Sequence, residues 1–167
     1  MSTPPRPPGS LVPGGVPPVP SRPPPGPVPV DHGSPQPPGQ VTLTRIVMPG
    51  QTNARGTLFG GVALSLMDEA SAIVALRHAR SSVVTAHIDS VDFKGPIFEG
   101  EAVEVTARLR AVGRTSMRIS VESWGEDLHT GERRFCTSAE FVFVAMGADG
   151  KPCVVPAFGG GEGARTA

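Results

Sequence analysis

Tyrosine is absent from this chain of 167 residues, tryptophan occurs once and cysteine twice. Cys136 and Cys153 have neither CxxC nor ligand-type spacing, which excludes a disulfide framework and a thiolate metal site. The four histidines, His32, His78, His87 and His129, are equally scattered, which argues against zinc. Neither sign of charge is in excess: 15 Lys and Arg are matched by 15 Asp and Glu, with no long block of either. No overall field therefore favours nucleic acid or an anionic membrane as a partner. No apolar run approaches the roughly 20 residues that span a bilayer, and the start of the chain lacks the charged-then-apolar pattern of a secretory signal. There is no GxSxG elbow and no GxxxxGK[ST] loop. The expectation is a cytoplasmic protein with reduced thiols, no membrane insertion, no metal and no cofactor.

Proline is scarce too, but only after residue 40. Sixteen of the 20 prolines fall in residues 1–40, with no aromatic residue and little charge among them. Such a stretch cannot bury enough apolar surface to offset the entropy of ordering, so 1–40 reads as a disordered, extended tail. Residues 41–157 have the composition of an ordinary folded domain, and 158–167 read as a flexible C-terminal tail.

Within 41–157 the hydrophobic period changes once. Residues 41–48 alternate as a strand, Pro49-Gly50 breaks it, and 51–59 form a polar loop. Residues 62–79 carry helical spacing, with Val62, Leu66, Ile73 and Val74 among several alanines. Arg77, His78 and Arg80 sit at the end of this segment, where cations suit the helix dipole. From 83 onward the period is two, over 83–93, 102–112, 116–124 and 133–146, with turns at Gly113-Arg114 and Thr130-Gly131. One strand, one long helix and four antiparallel strands make an α+β fold. Residues 62–76 are apolar on nearly every side, so the helix is expected to be enclosed by its own sheet and by a second subunit.

That helix holds few polar residues: Ser65, Asp68, Glu69 and Ser71. Gly61, Ser65, Asp68 and Ala72 share one face. A carboxylate within an apolar helix is costly to bury unless it is hydrogen-bonded, so Asp68 is a candidate general base, although Asp68 or Glu69 could equally point to solvent or pair with an arginine. Gly60-Gly61 offers unpaired N–H groups and close approach at the helix N-terminus, suited to a carbonyl or oxyanion. Asn53, in the preceding loop, is a third candidate, set against the plain reading of a turn-forming Asn.

The run Arg45-Ile46-Val47-Met48-Pro49, then Thr52-Asn53-Ala54-Arg55-Gly56-Thr57-Leu58-Phe59-Gly60-Gly61, then Leu66-Met67-Asp68-Glu69-Ala70 resembles the signature region of hotdog-fold acyl-CoA thioesterases. The members it resembles are the bacterial short- and medium-chain enzymes and the brain-type cytosolic acyl-CoA hydrolase. The likeness continues through Asp89-Ser90-Val91-Asp92-Phe93, Thr115-Ser116-Met117 and Phe141-Val142-Phe143-Val144-Ala145. It implies a long helix wrapped by a five-stranded antiparallel sheet, paired into homodimers that assemble as a trimer of dimers. It also implies an acyl-CoA substrate and active sites at the dimer interface, where Asn53 of one subunit faces Asp68 of the other.

By the same resemblance, Gly61 N–H, with Gly60, polarises the thioester. Asp68 acts as base or nucleophile, and Asn53 positions water or the thioester. Phe59 stands where brain-type enzymes carry His, and Gly95 where some bacterial relatives place Arg before the proline. Lys94 and the turn Arg114-Thr115-Ser116 are candidates for the coenzyme A phosphates, their plain reading being solvated surface residues. Two rival readings share the fold. One is a non-catalytic acyl-CoA sensor, which would be expected to lose the carboxylate. The other is an enoyl-CoA hydratase, whose His five residues after the Asp is here Ile73.

Overall fold

Alternation along the strands decides which side chains form the core. On one strand Met117, Ile119 and Val121 are buried while Arg118 is exposed and Ser120 and Glu122 are half-buried. The protein, as a computed structural model, describes residues 39–158. The elements are β1 (Gln40–Ile46), α1 (Gly60–Ala79), β2 (Ser82–Phe93), β3 (Ala102–Val112), β4 (Ser116–Glu126) and β5 (Arg133–Met146). The strands form one sheet in the order β1-β3-β4-β5-β2, with every neighbouring pair antiparallel. This is the α+β hotdog architecture, one long helix packed against a five-stranded sheet.

The expected elements are all present, with small shifts at their ends. The helix begins at Gly60 rather than at 62, so both glycines lie in its first turn. Packing runs slightly past the expected 41–157: Gln40 is in register with Arg108 and accepts from its Nε at 3.1 Å, and the Phe158 ring meets His78 edge-on. Of the tails expected at 1–40 and 158–167, residues 1–38 and 159–167 lie outside the described residues.

The helix buries a stripe of Ala63, Leu66, Met67, Ala70, Ser71, Val74 and Ala75, at the i, i+3, i+4 spacing of one face. Phe141, Phe143, Met117 and Ile119 cover it from the sheet, each contributing about 1.5–3 kcal/mol of burial. Enclosure on nearly every side is not met within one chain. Gly61, Ser65, Glu69 and Leu76 are exposed and Asp68 is half-buried, because a single sheet reaches only one side of a helix.

The open side of α1 adjoins β2, the last strand of the sheet, which has no partner on its outer edge among the described residues. Almost all of β2 is exposed, Val84, Ile88 and Phe93 included, in contrast to β3, β4 and β5. Bulges interrupt it at Thr85/His87 and at Asp89/Asp92, and Ser90 sits in the left-handed region with φ 52°.

Candidate active site

The loop before the helix builds the first half of the site. Asn53 closes a turn on itself: its Oδ1 accepts from Arg55 N–H at 2.8 Å and Thr57 N–H at 3.4 Å, and its Nδ2 donates to Thr57 Oγ1 at 2.9 Å. The turn-forming reading of Asn53 is therefore correct, yet it does not consume the residue. An amide has two N–H donors, and one remains free to point at a ligand. The same loop lines a cavity of about 290 Å³ together with Gly60, Ala63, Phe93, Gly95 and Ile97.

Above this cavity the helix starts without a side-chain cap. Phe59 occupies the cap position in an extended conformation, and its carbonyl accepts from Val62 N–H and Ala63 N–H. The N–H groups of Gly60 and Gly61 find no backbone acceptor among the described residues. They are the orphan donors that a helix N-terminus offers, in its positive end field. The absence of side chains here also has a packing reason. A Cβ at Gly61 would sit 2.9 Å from the Phe59 ring, and one at Gly60 would touch Phe93 at 3.4 Å.

The second half is elsewhere. Asp68 is not in the cavity lining. On the open helix face it accepts a hydrogen bond at Oδ1 from Thr85 Oγ1 of β2, at 2.7 Å. Its neighbour Glu69 instead pairs with Arg45 at 2.9 Å on the exposed surface. Gly61 and Asp68 are separated by about 10 Å along the helix axis. The pairing of an electrophile-binding end with a base on a single helix is thus stretched within one chain. Thr85 is the residue that sequence reasoning missed. In a run of β-formers nothing distinguishes it from any other strand Thr, and its meeting with Asp68 depends on how helix and strand pack.

The expected phosphate ligands divide between the two halves. Lys94 follows Phe93 at the cavity end of β2, with its Nζ over the Phe135 ring and 3.9 Å from Asp92. Arg114, Thr115 and Ser116 form the β3–β4 turn. Ser116 is in register with Val144 of β5, and Val144 with Val84 of β2. That turn lies at the Thr85 end of β2, about 30 Å from Lys94 along the strand. One chain does not gather them around a single ligand.

Cys136 is buried in β5, and burial pushes its thiol up, against a backbone hydrogen bond and the charge of Arg134. It is held as a neutral thiol, which makes it a poor nucleophile. Among the described residues, no group of three or more His, Cys, Asp or Glu could hold a metal ion, and no helix is long and apolar enough to cross a membrane.

Residues 55–132 match the model of the Thioesterase superfamily. An uncharacterized acyl-CoA thioester hydrolase of Zymomonas mobilis is 43% identical over 120 residues, 72% of this chain and 80% of that protein. An apo-hexameric acyl-CoA thioesterase superposes with a TM-score of 0.68 at 44% identity, covering 70% of this chain and 75% of the other. An acyl-CoA hydrolase of Staphylococcus aureus, solved with butyryl coenzyme A, coenzyme A and coenzyme A disulfide, has a TM-score of 0.67 at 36% identity, over 71% and 72%. That hydrolase has also been solved with an Asn, an Asp and a Thr each replaced by alanine. The three replaced residues stand at the same intervals along its chain as Asn53, Asp68 and Thr85 do here.

Proposed function

This chain belongs to the thioesterase superfamily and is an acyl-CoA thioester hydrolase, releasing free acid and coenzyme A; from that premise we propose that Asp68, Asn53 and the Gly60-Gly61 helix start form its catalytic site across a subunit boundary. The observation that carries the proposal is the splitting of the site along β2. Asn53, Gly60 and Phe93 lie at one end of the strand, and Asp68 with Thr85 at the other. The outer edge of that strand has no partner among the described residues, and Val84, Ile88 and Phe93 are exposed along it.

A two-fold axis through the middle of β2 pairs the strand with its own copy, antiparallel. It then sets Thr85 of one protomer against the last third of the partner strand, and so Asp68 against the partner's cavity. Isologous pairing of this kind is the common way to complete an exposed edge. It also brings the Arg114-Thr115-Ser116 turn of one protomer towards Lys94 of the other, so that both can serve the phosphates of one coenzyme A. Further assembly of such dimers into a trimer of dimers belongs to the same reading, supported by the hexameric relative. So does a cytoplasmic setting, which the two free thiols support.

In this arrangement the thioester carbonyl oxygen accepts from Gly61 N–H, with Gly60 beside it, where the developing oxyanion gains most. The ring of Phe59 flanks that N–H. The free Nδ2–H of Asn53 donates to the carbonyl or to the attacking water. Asp68 removes a proton from water as the water oxygen bonds to carbon, or attacks the carbon itself to give a mixed anhydride that water then opens. In both routes the C–S bond breaks and coenzyme A leaves as the thiolate, which takes its proton from Asp68 in the first route and from the water that opens the anhydride in the second. Thr85 donates to Asp68 Oδ1 and leaves Oδ2 free to act. Water is the only co-substrate, and no step passes through a cofactor.

A thiol-release assay with wild type and Asp68→Asn tests this directly. The expected result is a loss of kcat of at least about a thousandfold, as for removal of an essential base or nucleophile. Undiminished hydrolysis by Asp68→Asn would overturn the mechanism.

A further inference from the structure

The segment between β2 and β3, residues 94–101, forms a wall of the cavity through Gly95, Pro96 and Ile97. It has no regular secondary structure of its own, yet one side chain from β5 holds it at three points. Arg134 Nε–H donates to Pro96 O at 2.9 Å, its NH2 group pairs with Glu101, and its guanidinium lies 5.2 Å over the Phe98 ring. Glu101 in turn accepts from Phe98 N–H at 2.7 Å. Of the ion pairs among the described residues this one is the least exposed, at 27% and 13% for the two side chains.

The held segment is then bonded to the loop that carries Asn53. Leu58 N–H donates to Ile97 O at 2.7 Å, Thr57 bridges Phe98, and Glu99 N–H donates to Gly56 O at 3.3 Å. Thr57 is the residue that fixes Asn53, through the Nδ2–Oγ1 bond and through Asn53 N–H to Thr57 O at 2.8 Å. An unbroken chain of directional contacts thus runs from Arg134 to Asn53 without any of its middle members having a helix or strand to hold them.

We infer that Arg134 and Glu101 are positioning residues for catalysis, an ion pair that sets the cavity wall and, through Thr57, the aim of the Asn53 amide. The inference rests on the proposed role of Asn53. Neither side chain needs to touch the substrate. Arg134 is suited to the task because its planar fork reaches a carbonyl and a carboxylate at once, whereas lysine offers a single point of charge. A displacement of about 1 Å at a positioned group is enough to cost a hundredfold in rate.

The test compares full-length wild type with Arg134→Lys, Arg134→Met and Glu101→Gln, and with Arg118→Gln as a control from an ion pair on the solvent face of β4 and β5. Two readouts are taken: kcat and KM on butyryl-CoA, and amide hydrogen exchange of residues 51–59 against residues 66–75 of the helix. Glu101→Gln keeps an acceptor for Phe98 N–H and removes only the charge. It and Arg134→Met should lower kcat at least tenfold with KM changed less than threefold, and speed exchange in 51–59 while 66–75 is unmoved. Arg134→Lys should recover part of both, and Arg118→Gln should match wild type.

Unaltered kcat or unaltered exchange in 51–59 in Glu101→Gln would overturn the inference. So would slowing matched by equal exposure of 66–75, the mark of a general loss of fold. Should wild type itself release no thiol, the proposed function fails, and the exchange arm alone then decides whether the pair holds the loop.

Discussion

Asp68 and Glu69 are adjacent carboxylates with different surroundings. Glu69 is turned outward to Arg45, an exposed pair of little energetic consequence. Asp68 is oriented by the hydroxyl of Thr85. If that hydrogen bond aims the carboxylate, Thr85→Ser should keep most of the activity and Thr85→Val should lose roughly ten- to a hundredfold in kcat, the range expected for an orienting contact at a general base. Steady-state thiol release on the two variants checks it. Ser123 makes a contrasting case. Its hydroxyl is buried on β4 with no hydrogen-bond partner. Ser123→Ala removes an unsatisfied group in a well-packed place, and is expected to raise unfolding stability by about 1 kcal/mol, measured by urea denaturation. A carboxylate is conspicuous in an apolar helix, and the Gly60-Gly61 turn, the face shared with Ser65 and the family resemblance singled out Asp68 over Glu69. The sequence could not single out Thr85, since a β-branched residue in a strand is where propensity puts it.

At the scale of elements, the regular ones were legible and the irregular ones were not. The bounds of β3 and β5 follow from the alternation, whereas β4 runs two residues past its expected end and the helix starts two residues early, on Gly60-Gly61. The segment 94–101 carries no period, so its part in walling the cavity depends on Arg134 and Glu101, which lie far apart in sequence.

The state of that pair gives a pH dependence. Burial alone would raise the Glu101 carboxyl, but the hydrogen bonds from Arg134 and Phe98 N–H, with the arginine charge, outweigh it and hold the carboxyl below its ordinary value. A carboxyl depressed in the folded state contributes stability that is present above its unfolded pKa and is lost as pH falls through the folded one. Wild type should therefore exceed Glu101→Gln in stability by a constant amount from neutral pH down to about pH 5, and the gap should narrow below about pH 4.3, the unfolded value. Urea unfolding at several pH values would reveal it, and a gap that widened on acidification would contradict the assignment.

For the molecule as a whole, the sequence pattern of the helix implied more cover than one sheet can supply. The structure shows where cover is missing: the face bearing Gly61, Ser65 and Asp68, and the length of β2. The expected meeting of Asn53 and Asp68 was implied by resemblance, and no property of the residues themselves could have given it. Geometry adds a physical ground, because the two halves lie at opposite ends of β2, an edge strand that can pair with its copy.

The most direct test of this account is subunit complementation. Asp68→Asn and Asn53→Ala proteins, each inactive alone, are unfolded together and refolded as a mixture. In a mixed dimer with shared sites, one site receives both substitutions and the other receives neither. Statistical mixing should then restore roughly a quarter of wild-type activity, since about half the dimers are mixed and each has one intact site of two. If each site were contained in one chain, every site in the mixture would carry a substitution, and activity that stayed at the level of the separate variants would contradict the shared site.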